Sequence, residues 1–133
     1  MLIPTPHQQR EHPDSAPRPD PDPHALDRAA RMFRAMGDGP RLRILHLLAG
    51  GEICVGEIVA TVGEKFSTVS QRLRVLRSEG LVVRRRDRSH VYYALADKHV
   101  SGLVSNALAH AGELEGVTSQ PGAARPAPPE DEP

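Results

Sequence analysis

The 133-residue sequence has one cysteine, Cys54, no tryptophan and only four aromatic residues. A single cysteine excludes an internal disulfide and any site that needs two thiolates from one subunit. With so few aromatic rings, the core has to be built from leucine, valine, isoleucine and alanine. No run approaches the ~18 apolar residues of a membrane-spanning helix, and the first residues lack the apolar stretch of a secretory signal. We therefore expect a cytoplasmic protein with no membrane partner.

Proline is concentrated at the two ends of the chain. Twelve of the 13 prolines lie in residues 1–23 or 116–133, which show no hydrophobic periodicity. We expect both segments to be disordered tails, because they carry too little apolar surface to offset the entropy lost on ordering. The domain between them, residues 24–115, has about 90 residues, which is near the lower limit for a well-buried core. A partner chain is expected to supply the missing burial.

Charge balances over the whole chain but not along it. Residues 31–93 carry a net charge of +6, whereas residues 1–30 carry −2 and residues 94–133 carry −4. A basic middle between acidic ends favours a polyanionic partner such as nucleic acid, with a solvated basic surface as the alternative. The placement of the basic residues on the predicted elements decides between the two.

Helical periodicity, with its start and stop residues, predicts four helices before residue 80. They run from Pro23 to Met36, from Gly39 to Ala49, from about Ile53 to Thr61, and from about Ser67 to Glu79. Residues 81–86 and 90–95 are rich in β-branched and aromatic residues and predict a hairpin, and a last helix covers about residues 98–114. The order α-α-α-α-β-β-α is that of a mainly helical winged helix-turn-helix fold with a β-hairpin wing.

The fourth predicted helix has an apolar stripe and a polar side. Val69, Leu73 and Leu76 recur at helical spacing and are expected to be buried. The polar side carries hydroxyls, an amide and arginine, which can read base edges in the major groove of double-stranded DNA or hold phosphates. We expect contacts with the DNA from Ser67, Thr68, Ser70, Gln71 and Arg74. An amphipathic surface helix without a DNA partner is the alternative.

The hairpin tip is also basic. Four arginines lie in or beside it: Arg84, Arg85, Arg86 and Arg88. A tip of this composition can reach phosphates or an adjacent minor groove. Taken together with the helix before it, the hairpin favours a DNA-binding wing over an ordinary charged loop.

The last predicted helix carries four metal-ligand residues in the pattern D-x-H-x10-H-x2-E, namely Asp97, His99, His110 and Glu113. At 100° per residue the two histidines lie within about 20° of each other around the helix. Along the axis they are ~16 Å apart, at ~1.5 Å per residue. A zinc–imidazole bond is about 2.0–2.1 Å long, so one helix cannot bring both rings to one ion.

Two antiparallel copies of this helix solve that problem. The midpoints of both ligand pairs fall near residues 104–105, so a two-fold axis there brings Asp97 and His99 of one chain to His110 and Glu113 of the other. This predicts a homodimer through the terminal helices with two equivalent sites, its apolar contact formed by Val100, Leu103, Val104, Ala107, Leu108 and Ala111. Two imidazoles and two carboxylates suit Zn(II), with Co(II) or Ni(II) as alternatives. Exposed polar residues on an acidic helix are the other interpretation.

With these features the sequence resembles the ArsR/SmtB family of metal-sensing winged-helix repressors over about residues 26–114. The resemblance rests on residues 52–58 (EICVGEI), 67–73 (STVSQRL) and 90–93 (HVYY), and on the four residues of the proposed metal site. It implies a homodimeric repressor, and not an enzyme, that binds operator DNA without metal and releases it when the ion binds.

Two alternatives stay open. The family's thiolate site uses Cys-x-Cys, whereas here Gly56 follows Cys54 at that spacing, so sensing through paired thiolates is not expected. For Cys54 two interpretations stay open: a mixed second metal site formed with Glu57 and one of His7, His12 or His24, or a small buried hydrophobic residue.

A regulator of the same fold with a non-metal inducer, or with none, is the alternative function. A metalloenzyme is disfavoured, because the sequence has no HExxH motif and the proposed site leaves no position open for substrate.

Overall fold

The structure, a computed structural model, describes residues 15–118 and the side chains as far as Leu114. Residues 1–14 and 119–133, which include His7, His12 and most of both predicted tails, lie outside it. Within the described residues there are five helices: α1 (Pro23–Met36), α2 (Gly39–Leu48), α3 (Val55–Val62), α4 (Phe66–Ser78) and α5 (Lys98–Thr118). No helix among them is both long and apolar enough to cross a membrane.

The first two helices begin where the sequence predicts. Asp22 Oδ2 accepts a hydrogen bond from the Ala25 N–H at 3.0 Å, and Asp38 Oδ2 accepts one from the Arg41 N–H at 3.1 Å. Each aspartate satisfies an N–H group of the first turn, and each of these turns contains a proline, whose missing N–H costs nothing there. The fifth helix continues to Thr118, four residues beyond its predicted end at Leu114.

The sheet has one strand more than predicted. The predicted hairpin is confirmed as β2 (Val82–Asp87) and β3 (His90–Leu95), but β1 (Ile53–Cys54) joins it in the antiparallel order β1-β3-β2. The sequence placed residues 53 and 54 at the start of the third helix, and this was wrong. Ile53 pairs with Tyr93 and Cys54 with Tyr92, so their backbone groups belong to the sheet and the helix begins at Val55.

The core lies between α2, α4, the base of the hairpin and the first half of α5. The predicted stripe of α4 is confirmed, because Val69, Leu73 and Leu76 are all fully buried. Other core side chains are Ile44, Leu45, Leu48, Ile58, Leu81, Val82, Tyr93, Val100 and Val104. All of these are apolar except for the tyrosine hydroxyl, so the core fixes the position of α4 without a buried charge.

Apolar side chains on both α1 and α5 stay outside this core. On α1, Leu26 and Phe33 are 57% and 58% exposed. On α5, Val104 is the last buried side chain of the described residues, and Leu108 beyond it is 38% exposed. Val100 and Val104 were predicted to contact a partner chain. That prediction was wrong, because α5 packs on α2 and both valines complete the chain's own core.

Candidate DNA-binding and metal-binding sites

The polar side of α4 faces solvent over most of its length. Ser67, Gln71 and Arg74 are exposed, and Thr68 and Ser70 are half-buried. These five are the residues that the sequence predicts to contact DNA. Ser67, Gln71 and Arg74 lie on the side of the helix opposite its buried stripe, and Thr68 and Ser70 flank the stripe. Because the stripe is fully packed, the helix is held as a rigid element with hydrogen-bonding side chains projecting outward, which suits it to a major groove.

One arginine of α4 has a different partner. Arg72 is largely buried for its type, with 21% of its side chain exposed, and its Nη1 pairs with Glu64 Oε1 in the turn before α4. The pair ties the middle of the helix back to the residues that lead into it. Arg72 therefore stabilises the turn, whereas Arg74 has no ion-pair partner among the described residues and is available to a phosphate.

The four wing arginines do not share one environment. Across the sheet Arg84 lies opposite Tyr93, Arg86 opposite Val91 and Arg85 opposite Tyr92. Opposed residues of an antiparallel pair share a face and successive residues alternate, so Arg84 and Arg86 lie on one face and Arg85 on the other. The face of Arg84 and Arg86 is the one that becomes the core at the hairpin base, where Val82 is buried.

Arg85 is engaged within the chain. Its Nε and Nη2 donate to the two carboxylate oxygens of Glu52 at 3.0 and 2.7 Å, and its guanidinium carbon lies 4.7 Å from the centre of the Tyr92 ring. The hydrogen bonds from Arg85 lower the pKa of Glu52 below its usual value, and those to Glu52 raise the pKa of Arg85. Both groups are therefore charged at neutral pH. The sequence analysis did not identify Glu52 as the partner of Arg85. The only sequence signal was the alternation of strand residues, which places Arg85 on the opposite face from Arg84 and Arg86.

The wing ends in a two-residue turn at Arg88 and Ser89. Arg88 has a φ of 60°, and it is the one non-glycine residue with positive φ among the described residues. An L-residue other than glycine, asparagine or aspartate is strained in this region by about 1–2 kcal/mol. The turn thus holds a cation at the tip of the wing in a position where glycine would be easier to accommodate.

The predicted metal ligands lie in two separate pairs on α5. Asp97 Oδ2 is 3.8 Å from His99 Nδ1 at the start of the helix, and His110 Nδ1 is 3.8 Å from Glu113 Oε1 three turns later. All four side chains are more than half exposed. Within the described part of a single chain, no three histidine, cysteine, aspartate or glutamate side chains come together as a metal site.

The donor chemistry of the two pairs fits a divalent transition-metal ion. Each pair offers one imidazole and one carboxylate, so two pairs make the four-ligand set that zinc prefers. Asp97 has a second role, because its Oδ1 accepts the Val100 N–H at 3.0 Å and caps α5. Of the alternative ligands, Cys54 is half-buried in β1, Glu57 is exposed in the first turn of α3 and His24 is exposed on α1.

A short backbone link connects the end of α4 to the start of the ligand-bearing helix. The Leu81 N–H donates to the Leu76 carbonyl at 2.9 Å, and the Leu81 carbonyl accepts from the Ala96 N–H at 3.0 Å. Leu81 itself is fully buried. The residue next to Asp97 is thus joined to the C-terminal turn of α4 through one buried residue.

Comparison with known proteins gives consistent matches. Residues 38–83 match the family described as "Bacterial regulatory protein, arsR family". The chain is 41% identical over 98 residues to a "Transcriptional repressor SmtB homolog" of Synechocystis, covering 71% of this chain and 74% of that protein. It is 34% identical over 89 residues to a "Cadmium resistance transcriptional regulatory protein CadC homolog" of Staphylococcus aureus, covering 66% and 74%.

A solved structure matches as well. The homodimeric winged helix-turn-helix DNA-binding domain of a Mycobacterium bovis protein superposes with a TM-score of 0.66 at 38% identity, covering 74% of this chain and 91% of that one. The winged helix-turn-helix fold predicted from the sequence is confirmed by this likeness and by the described elements.

Proposed function

Because the chain belongs to the arsR family of bacterial regulatory proteins, and is therefore a transcriptional regulator and not an enzyme, we propose that it is a metal-responsive repressor. In this proposal a homodimer without metal binds operator DNA, and the DNA is released when Zn(II), Co(II) or Ni(II) binds. The observation that carries the proposal is the separation of the ligands into two exposed half-sites on one helix, each with one imidazole and one carboxylate.

DNA binding is assigned to α4 and the wing. Ser67, Gln71 and Arg74 would reach the major groove from a helix whose opposite side is fully buried. Arg84, Arg86 and Arg88 would reach phosphates on either side. In a two-fold dimer the two copies of α4 would contact major grooves about 34–36 Å apart, so the operator is expected to be a pseudo-palindrome. The homodimeric state of the Mycobacterium bovis relative supports this arrangement.

The metal site is assigned to the two half-sites of opposite chains. The ion would be held by four residues, Asp97 and His99 of one protomer and His110 and Glu113 of its partner. It would cross-link two chains that are otherwise held together by apolar contact. The exposed apolar residues of α1 and of the second half of α5 are available to a partner chain, which supports a homodimer. The name of the cadmium-resistance relative supports a metal as inducer.

The contact between Leu81 and Ala96 provides a route from the metal site to the DNA. In this proposal a change in the position of Asp97 would be transmitted to the end of α4 through the two backbone hydrogen bonds of Leu81. Release requires that the two states of the dimer differ in DNA affinity by a coupling free energy, typically about 1–3 kcal/mol. A small rotation of each α4 relative to its groove is sufficient for that, because base contacts depend on close geometry.

The test is a titration of a pseudo-palindromic duplex, selected from random sequences by the apo protein, with each of the three ions added separately. We expect tight binding without metal, release by at least one ion, and restoration by a chelator. His99→Ala and His110→Ala should keep apo binding and lose release, while His46→Ala, which removes an exposed histidine from α2, should behave as the wild type. Tight DNA binding with no stoichiometric metal uptake would instead identify a regulator with another inducer.

A further inference from the structure

The outer face of the sheet carries a contact that the DNA-binding and metal-binding proposals do not use. Glu52 precedes β1, Arg85 lies in the middle of β2, and Tyr92 lies between them on β3. Arg85 donates hydrogen bonds to both carboxylate oxygens of Glu52, and its guanidinium group stacks on the Tyr92 ring. A two-point hydrogen bond from a planar guanidinium fixes direction as well as distance, and stacking fixes the plane of the group.

The wing has few other anchors. Val82 at its base is buried, whereas every residue from Val83 to His90 is exposed. The ladder to the short strand β1 ends at the pair of Cys54 with Tyr92. Arg85 lies at the level of that pair, opposite Tyr92, and its contact with Glu52 is the polar side-chain link that the described residues show between the hairpin and the rest of the chain. The apolar link nearest the tip is Val91, which is half-buried against the core. Glu52 leads directly into β1 and α3, so the link joins the wing to the helix-turn-helix segment that ends in α4.

We propose that Glu52 and Arg85 form a brace that sets the position of the wing relative to α4, so that Arg85 positions Arg84, Arg86 and Arg88 rather than contacting DNA itself. The proposal rests on the proposed function, in which the wing contacts the duplex. Within it, Arg85 and Glu52 are positioning residues, and the cations that meet phosphate are those on the other face and at the tip.

The direction in which Glu52→Gln changes DNA affinity distinguishes the brace from a simple electrostatic effect of Glu52. Glu52→Gln removes a negative charge near the DNA and leaves the Arg85 guanidinium with Asp87, 3.9 Å away, as its carboxylate partner. If Arg85 were a phosphate contact held back by Glu52, this variant would bind DNA more tightly and with a steeper salt dependence, by about one further counterion. The brace predicts the opposite, a lower affinity, because a correctly placed set of three arginines is lost.

The first measurement is DNA affinity as a function of salt for Glu52→Gln, Arg85→Lys and the control Glu57→Gln. Glu57 is an exposed glutamate on α3, so its replacement reports the effect of losing one negative charge. We expect Glu52→Gln and Arg85→Lys each to lower affinity about two- to fivefold, in keeping with the modest strength of exposed ion pairs. Lysine keeps the positive charge of Arg85 but cannot form its two parallel hydrogen bonds to Glu52. Glu57→Gln should bind as well as the wild type or slightly better.

The second measurement is hydrogen exchange of backbone amides in the protein without DNA. Loss of the brace should accelerate exchange in the wing, residues 83–91, by about two- to fivefold, while buried α4 amides such as that of Leu73 keep their wild-type rate. A general loss of stability would accelerate both. This experiment does not depend on DNA, so failure of the wild type to bind any duplex would contradict the proposed function alone. Tighter DNA binding by Glu52→Gln, or unchanged wing exchange, would overturn the brace.

Discussion

Asp97 accepts a hydrogen bond from the main-chain N–H of Val100 at 3.0 Å through one carboxylate oxygen, while its other oxygen lies 3.8 Å from the imidazole of His99. One oxygen caps α5 and the other faces the proposed half-site. The two roles are compatible, since each of the two carboxylate oxygens has lone pairs that can accept a hydrogen bond or bind a metal ion. They can also be separated, because asparagine caps a helix as well as aspartate does but is a poor ligand for zinc.

Two substitutions at Asp97 should therefore differ in outcome. Asp97→Asn keeps the cap, so we expect an unchanged free energy of unfolding for the apo protein together with loss of metal-induced release. Asp97→Ala loses both, and should also lower the free energy of unfolding by about 1 kcal/mol. Denaturant unfolding and the absorption spectrum of added Co(II) measure the two effects. Wild-type Co(II) uptake by Asp97→Asn would reduce Asp97 to a cap and remove it from the site.

The two parts of the DNA interface are expected to respond differently to salt. Ser70→Ala with Gln71→Ala should lower affinity for the operator by about 1–3 kcal/mol and leave nonspecific binding unchanged, because hydroxyl and amide groups read bases. Arg84→Ala with Arg86→Ala should weaken binding to all sequences and reduce the slope of log affinity against log salt by about 2, because each lost phosphate contact releases one counterion fewer. A salt slope that is unchanged in the arginine variant would remove the wing from the interface.

The elements of the fold that could be predicted are those whose signals are local. Asp22 and Asp38, each followed closely by a proline, determine where α1 and α2 begin, and the spacing of Val69, Leu73 and Leu76 identifies the buried side of α4. The strand β1 has no such signal. Its two residues become extended because β3, about 40 residues later, provides a free edge, and a pairing at that separation leaves no periodic pattern in the sequence.

The site shows the same distinction. The sequence identified the wing arginines as a group, but it could not say that Arg85 differs from Arg84 and Arg86, because its partner Glu52 is 33 residues away in the chain. Similarly, the apolar spacing of α5 did not tell which residues face the chain's own core and which are left for a partner. Val100 and Val104 are taken up by packing on α2, and only tertiary structure reveals that Leu108 is not.

The dimer surface can be tested through side chains that the chain's own core does not use. Phe33→Gln and Leu108→Gln should leave the fold intact and weaken self-association by at least about tenfold, since a large apolar side chain is worth about 1.5–3 kcal/mol when buried. Val83→Gln is the matched control, because Val83 is a 49% exposed apolar residue that lies on strand β2 and on neither helix. Sedimentation over a range of concentrations measures the equilibrium. A monomeric wild-type protein would contradict the assembly of the metal site from two chains.

The strained residue at the wing tip permits a substitution in which stability and function move in opposite directions. Arg88→Gly relieves a φ of 60° and should raise the free energy of unfolding by up to about 1 kcal/mol, or leave it unchanged, since glycine also gains entropy in the unfolded chain. At the same time the wing loses the cation at its tip. We expect weaker DNA binding at low salt and a salt slope smaller by about 1.

Arg18→Gly is the matched control, because Arg18 is an exposed arginine in the segment before α1. It removes the same charge from the chain without touching the wing, so its salt slope should stay that of the wild type. If Arg88→Gly unfolds more readily than the wild type, the turn is not strained at Arg88. If it is stable but binds DNA with an unchanged slope, the tip does not meet a phosphate, and the wing contacts DNA only through the face that carries Arg84 and Arg86.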